Sequence, residues 1–199
     1  MTLRATKMER TRDLIAETAL TLFQEQGYAD TTVEQIAAAA EVGARTVYRY
    51  YPTKEALVFG LYARMLDTAR QELRALPDDT SVPDLLRAVL DSIVRSHLDK
   101  PDQMLAAFAL AQQTRSVMAY LTHLLFTWRQ ELVHDVAARL DGRSADLVAG
   151  LAVEQTATVF TLAFRKWADG GGRSDLRKLT YTTLKLLHSD AVPLPSLRR

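Results

Sequence analysis

The sequence contains no cysteine, which excludes a disulfide framework, a thiolate zinc site and thiol catalysis, and makes a reducing cytoplasm the simplest compartment. It has no uninterrupted run of about 18 apolar residues, and its basic start, MTLRATKMERTRDL, lacks the apolar stretch of a secretory signal. Neither a membrane partner nor an export signal is expected. Net charge is nearly absent at +1, so affinity for nucleic acid has to come from local clusters rather than from the field of the whole molecule. The histidines, His97, His123, His134 and His188, form no i, i+4 pair for a metal, and His134 and Asp135 point in different directions on a helix. A nucleophile elbow, a phosphate-binding glycine loop and a dinucleotide fingerprint are also missing. No enzyme activity, metal or cofactor is expected. No segment alternates as a strand does, and no internal repeat is visible.

What is present reads as helix. With 48% hydrophobic and 25% charged residues, the composition is that of a globular protein. From about Lys7 to Glu25, Leu14, Ile15, Thr18, Ala19, Leu22 and Phe23 recur on one helical face, and Gly27 ends that helix. Thr31 and Thr32 stand at the capping-box offset from Glu34 and Gln35, opening a second, alanine-rich helix from Val33 to about Ala40. Val42-Gly43 makes a short turn before a third helix, Ala44 to Tyr50, which Pro52 stops. Thr53 caps a long fourth helix from Lys54 to about Leu76. After the breaks at Pro77 and Pro83, helices are expected over 84–98, 102–114, 116–140, 144–169 and 174–188, with a disordered tail at 190–199.

Two short helices joined by a tight turn and braced by a longer one form the layout of a helix-turn-helix, whose second helix enters the major groove. Basic residues gather at this end. Arg4, Lys7, Arg10 and Arg12 oppose only Glu9, and between Glu41 and Glu55 the charged residues are Arg45, Arg49 and Lys54. Arg45, Tyr48 and Arg49 lie at i, i+3, i+4 on the third helix, flanked by Thr46 and Tyr50. Arg45 is the candidate for bidentate readout of guanine, and Thr46 can meet a thymine methyl or a phosphate. Thr32 and Lys54, at the starts of the second and fourth helices, can serve phosphates. Tyr51 is expected in the core.

The stretch TTVEQIAAAAEVGARTVYRYYPTKEAL, residues 31–57, resembles the DNA-binding domain of the tetracycline-repressor (TetR) family. Gly27, Ile36-Ala37, Val42-Gly43, Thr46, Tyr48, Tyr51 and Lys54-Glu55 carry the resemblance. It implies an all-α fold: a three-helix reader in residues 1–53, joined by a long helix to a ligand-binding and dimerisation domain in 54–189. It also implies phosphate contacts by Tyr48 and Tyr50 and, with the residues above, a DNA-facing set of Thr32, Ala44, Arg45, Thr46, Tyr48, Arg49, Tyr50 and Lys54. The expected function is a cytoplasmic repressor on palindromic double-stranded operator DNA.

The second half needs its own explanation. Leu176, Leu179, Thr180, Thr183, Leu184 and Leu187 form one stripe, and the preceding helix is apolar almost all round from Val159 to Phe164. A helix apolar on every side needs partners on every side, which a homodimer through the last two helices would supply. Polar groups scattered among apolar ones suit a pocket, with Tyr62, Phe108, Gln112, Phe126, Arg129, Gln155 and Thr158 as candidate lining. Residues 127–172 look like the effector domain of TetR relatives that respond to acyl-CoA, which implies a small hydrophobic effector. The fourth helix, running by continuity from the reader into the second half, is the expected lever.

Overall fold

The computed structural model describes residues 3–189 and 191–193, with side chains from Lys7 onward. Its described part is all-helical: α1 (Leu3–Gln26), α2 (Val33–Ala39), α3 (Ala44–Tyr50), α4 (Lys54–Val58), α5 (Gly60–Arg74), α6 (Val82–Asp99), α7 (Pro101–Gln113), α8 (Arg115–Ala137), α9 (Ala145–Asp169) and α10 (Leu176–Leu187). The tail expected from Asp190 falls, apart from residues 191–193, outside the described residues, as does the side chain of Arg4.

Two expectations need correction. The first helix already runs at Leu3 rather than from about Lys7, so the backbone of the basic segment from there on is helical. The fourth helix is not continuous: it pauses at Phe59, which has φ −106° and ψ 16°, and resumes as α5. The cause lies in packing, because Tyr51 sits against the break. A Cβ built on Gly60 would stand 2.5 Å from the Tyr51 ring, closer than any side chain tolerates, so this approach requires glycine. Tyr51 is 3% exposed, and its hydroxyl donates to the Arg12 carbonyl at 3.1 Å, in keeping with its expected place in the core.

The chain forms two compact units. One comprises the described residues up to Thr68 together with Lys100–Trp128; the other comprises Ala69–Asp99 and the described residues from Arg129 onward. In the first, Ile15, Ala19 and Phe23 of α1 meet Ile36, Val47 and Leu57 from the next three helices, and Ala107, Ala111 and Val117 from α7 and α8 close the same core. An ion pair of Lys100 with Glu17 and the packing of α7 on α1 fasten these segments. In the second unit α6, α9 and α10 pack on one another, burying Leu85, Val89, Val153, Trp167 and Leu176.

The helix-turn-helix is built from local rules. Thr32 caps α2 by accepting from the Gln35 amide at 3.2 Å, while the Gln35 side chain accepts from the Thr32 amide at 2.7 Å. At the other end of α2, Val42 N–H reaches Ala37 O at 2.9 Å and Glu41 N–H reaches Ala38 O at 3.2 Å. That is the paired bonding of a Schellman stop. Its left-handed position is occupied by Glu41, at φ 53°. Gly43, by contrast, is extended at φ −75°, so the turn's backbone demand falls two residues before the glycine that the sequence offers.

Candidate nucleic-acid interface

Recognition requires one face of α3 to be anchored and the opposite face to be free. Val47 is fully buried and Tyr51, just past the helix, is buried too. At helical spacing this turns Arg45, Tyr48 and Arg49 outward, and all three are exposed, Tyr48 by 50%. Arg49 lies over the half-buried Tyr50 ring at 5.0 Å, a cation–π contact that leaves its donors turned to solvent. Ala44 and Thr46 are half-buried at the start of the helix. A Cβ on Gly43 would meet open space, so the entry to α3 is bare and a nucleic-acid backbone can approach closely. Thr32 is exposed at the α2 cap.

Lys54 sits differently. Its ammonium donates to the Tyr28 carbonyl at 2.5 Å and lies 4.4 Å from the Tyr28 ring centroid, so much of its charge is spent inside the protein. Arg12 also turns inward: it is half-buried, with its guanidinium 5.6 Å from the Tyr51 ring centroid. Arg10 is exposed. The basic cluster counted along the sequence is therefore divided between the surface and the interior.

Tyr28 is a residue that sequence reasoning passed over. Beyond Lys54, its ring packs on Phe23 at 5.0 Å, and the polar groups acting on its hydroxyl are those of Glu55 in α4 and Ser116 in α8. Burial first, and the neighbouring Glu55 carboxylate second, push the phenol up to about 12 against a lowering effect of Ser116. For Glu55, burial acts to raise the carboxyl, but bonds from its own backbone amide, Ser116, Tyr28 and Thr53 outweigh it and hold the group below its usual range. The signal available in sequence was an aromatic directly after the helix-ending Gly27.

The seven candidate pocket residues are not gathered in one unit. Tyr62, Phe108, Gln112 and Phe126 belong to the first, where Gln112 and Phe126 are exposed and Tyr62 meets Phe59 edge-on at 6.2 Å. Arg129, Gln155 and Thr158 belong to the second. There Arg129 pairs with Glu154 at 3.5 Å, while its buried Nε has no hydrogen-bond partner. Gln155 lines a groove of 710 Å³ between α6, α9 and α10, whose apolar walls include Leu86, Leu90, Ala152 and Leu184. Thr158 is exposed.

The outer face of α9 carries Leu147, Val148, Leu151 and Leu162, exposed by 72, 49, 66 and 53%, and α10 adds Tyr181 and Leu186. The helix is apolar enough over 18 residues, at a mean hydropathy of 1.5, to cross a membrane by length and composition alone. Its inner residues Val153, Val159, Phe160, Ala163 and Trp167 are nevertheless packed inside the protein, so the hydropathy reflects two apolar faces on one helix.

Residues 15–61 match the family model of bacterial regulatory proteins, tetR family. Over 143 residues the chain is 32% identical to the HTH-type transcriptional regulator TcmR of Streptomyces glaucescens, covering 69% of this chain and 63% of that protein. It is 26% identical over 153 residues to a Mycobacterium tuberculosis protein named as a mycofactocin biosynthesis transcriptional regulator, MftR, covering 77% of each. Among solved structures, Thermus thermophilus FadR, a TetR-family repressor in complex with lauroyl-CoA, shares the fold at a TM-score of 0.59 and 22% identity, covering 94% of this chain and 98% of its own. Bacillus subtilis FadR in complex with stearoyl-CoA does so at 0.58 and 17%, covering 87% and 96%. The helix-turn-helix described above is thus similar to that of the tetR family of bacterial regulatory proteins, and the described part of the chain shares the fold of solved TetR-family repressors.

Proposed function

We propose that the protein is a cytoplasmic, homodimeric repressor that leaves a palindromic operator when a small hydrophobic effector of the acyl-CoA kind binds the part of the chain from residue 54 to 189. Residues 1–53 read the DNA. The observation that carries this is the α3 face, where Arg45, Tyr48 and Arg49 are all exposed on a helix anchored by Val47. Arg45 reads a guanine through O6 and N7, and Thr46 takes a thymine methyl or a phosphate. Tyr48, Tyr50 and Thr32 hold phosphates, with Ala44 against the groove wall. Lys54 adds a weaker contact because its ammonium already serves Tyr28.

Dimerisation through α9 and α10 is supported by their exposed leucines, and it sets the spacing of two recognition helices one DNA turn apart. The effector class is supported by fold similarity to repressors solved with lauroyl-CoA and stearoyl-CoA. Arg129 is the candidate for an anionic effector group, because its buried Nε is a donor in need of an acceptor. Tyr62, Phe108, Gln112, Phe126, Gln155 and Thr158 are the remaining candidates for effector contact.

A salt-titrated gel shift on DNA from upstream of the protein's own gene tests the assignment. Arg45→Ala is expected to lose about 10- to 100-fold in affinity and to relax preference at one base pair of each half-site. Equal binding of wild type and variant to every sequence would remove Arg45 from the base-reading role. Adding lauroyl-CoA should release the wild type, by no more than the effector's preference for the released state.

A further inference from the structure

A recognition helix of two turns has little surface with which to hold its own orientation. Among the described helices, α3 packs broadly on α2 alone, and Val47 is the one buried residue of α3. What fixes its far end is Tyr51. The Tyr51 N–H donates to the Val47 carbonyl at 2.8 Å, which ties the residue to the last turn, and Pro52 keeps it extended, at φ −135° and ψ 95°. Its side chain is then held from three sides. The hydroxyl donates to the Arg12 carbonyl of α1 at 3.1 Å. The ring edge and hydroxyl fill the space that a side chain at Gly60 of α5 would take, since a Cβ there would stand 2.5 Å from Cε1 and 2.7 Å from the oxygen. The Arg12 guanidinium covers the ring at 5.6 Å from its centroid. All of these residues belong to the first compact unit.

We infer that Tyr51 is a positioning residue for sequence readout. At 3% exposure it is closed to DNA, and it acts by fixing the angle at which α3 presents Arg45 and Arg49. A bidentate contact from an arginine to a base edge depends on that angle, whereas attraction to phosphates tolerates several. The hydroxyl separates this role from plain filling of the core, because a phenyl ring would occupy the same slot without the bond to α1. Losing that bond is mild for the fold. Arg12 lies inside α1, so its carbonyl still accepts its helical N–H when the tyrosine bond is gone. The inference rests on the reading of α3 as the DNA-recognition helix for its consequence and on the contacts above for its geometry.

The test uses the full chain and two DNA probes: the duplex that the wild type enriches from a random pool, and the random pool itself at the same salt. Tyr51→Phe should keep the wild-type circular dichroism and bind the enriched duplex about five- to tenfold more weakly. Its affinity for random DNA should stay within about twofold of wild type, with the same salt slope. Partial unfolding would weaken both alike, so equal losses on the two probes, or undiminished affinity for the enriched duplex, would overturn the inference. Gly60→Ala pushes a methyl group into the ring and should lose at least as much on the enriched duplex. In a Tyr51→Leu background, where the slot is empty, the same change should cost less than about twofold more, because both act on one contact. Additive losses would count against the slot and overturn the role given to the ring. If the wild type enriches no sequence, the DNA reading of α3 fails, and hydrogen exchange then judges whether Tyr51 holds the helix. Tyr51→Phe should speed exchange at residues 49–51 by about threefold or more, with α2 unchanged. Equal exchange in variant and wild type would overturn it.

Discussion

At the residue scale, what separates one cation from another is the partner it finds. Arg45 and Arg49 are exposed on α3, while Lys54 is held by the Tyr28 carbonyl and ring and Arg12 lies against Tyr51. His97 shows the same rule for a titrating group. It is 1% exposed, its Nδ1 lies 2.8 Å from the Ile93 carbonyl, and its ring packs on Phe160 and Phe164 at 4.8 and 5.1 Å. Burial pushes its pKa from 6.5 down to about 4. Between those values the unfolded chain takes up a proton that the folded protein refuses, so stability falls as pH drops through that window and is unaffected by this residue above it. At about 1.4 kcal/mol per unit, the loss by pH 4 is about 3 kcal/mol. Urea unfolding at pH 7, 5.5 and 4.5 should show the decline, and His97→Gln should flatten it.

At the element scale, the stop of α2 illustrates a backbone demand met by an unfavoured residue. Glu41 occupies the left-handed position at φ 53°, a conformation that costs a side-chain-bearing residue about 1 kcal/mol or more relative to glycine. Glu41→Gly removes that strain but frees the unfolded chain. The net effect expected is a gain of about 0.5 kcal/mol, read as a higher urea midpoint with unchanged slope. Glu41 is also exposed beside the reading face, so the same change removes a negative charge there and should raise operator affinity modestly at low salt. A lower midpoint would show that the Glu41 side chain contributes more than its backbone costs.

At the scale of the whole molecule, the outer face of α9 needs a partner. Leu147 and Leu151 are 72 and 66% exposed on a helix already packed on its other side, and a homodimer would cover them by two-fold symmetry. Placing a charge at the centre of such a face leaves it desolvated and unpaired in both subunits. Leu151→Arg should therefore weaken dimerisation by about 100-fold or more, measured by sedimentation equilibrium, and abolish tight operator binding while each chain stays folded. An undiminished dimer would move the interface away from this part of α9.

The sequence by itself determined the helical class and the site of the helix-turn-helix, because both rest on short-range rules. Apolar spacing over α1, the Thr32–Gln35 capping box and the burial of Val47 opposite Arg45 all act within a few residues. Only tertiary structure decided which cations stay free, where the fourth helix breaks, and that α7 and the start of α8 join the same compact unit as the reading helices. The reason is sequence separation. Lys54 meets Tyr28 across 26 residues, Tyr51 meets Arg12 across 39, and Arg70 meets Asp135 across 65. Periodicity says which side of a helix is apolar, but the residue that arrives to cover that side is chosen by how the helices pack.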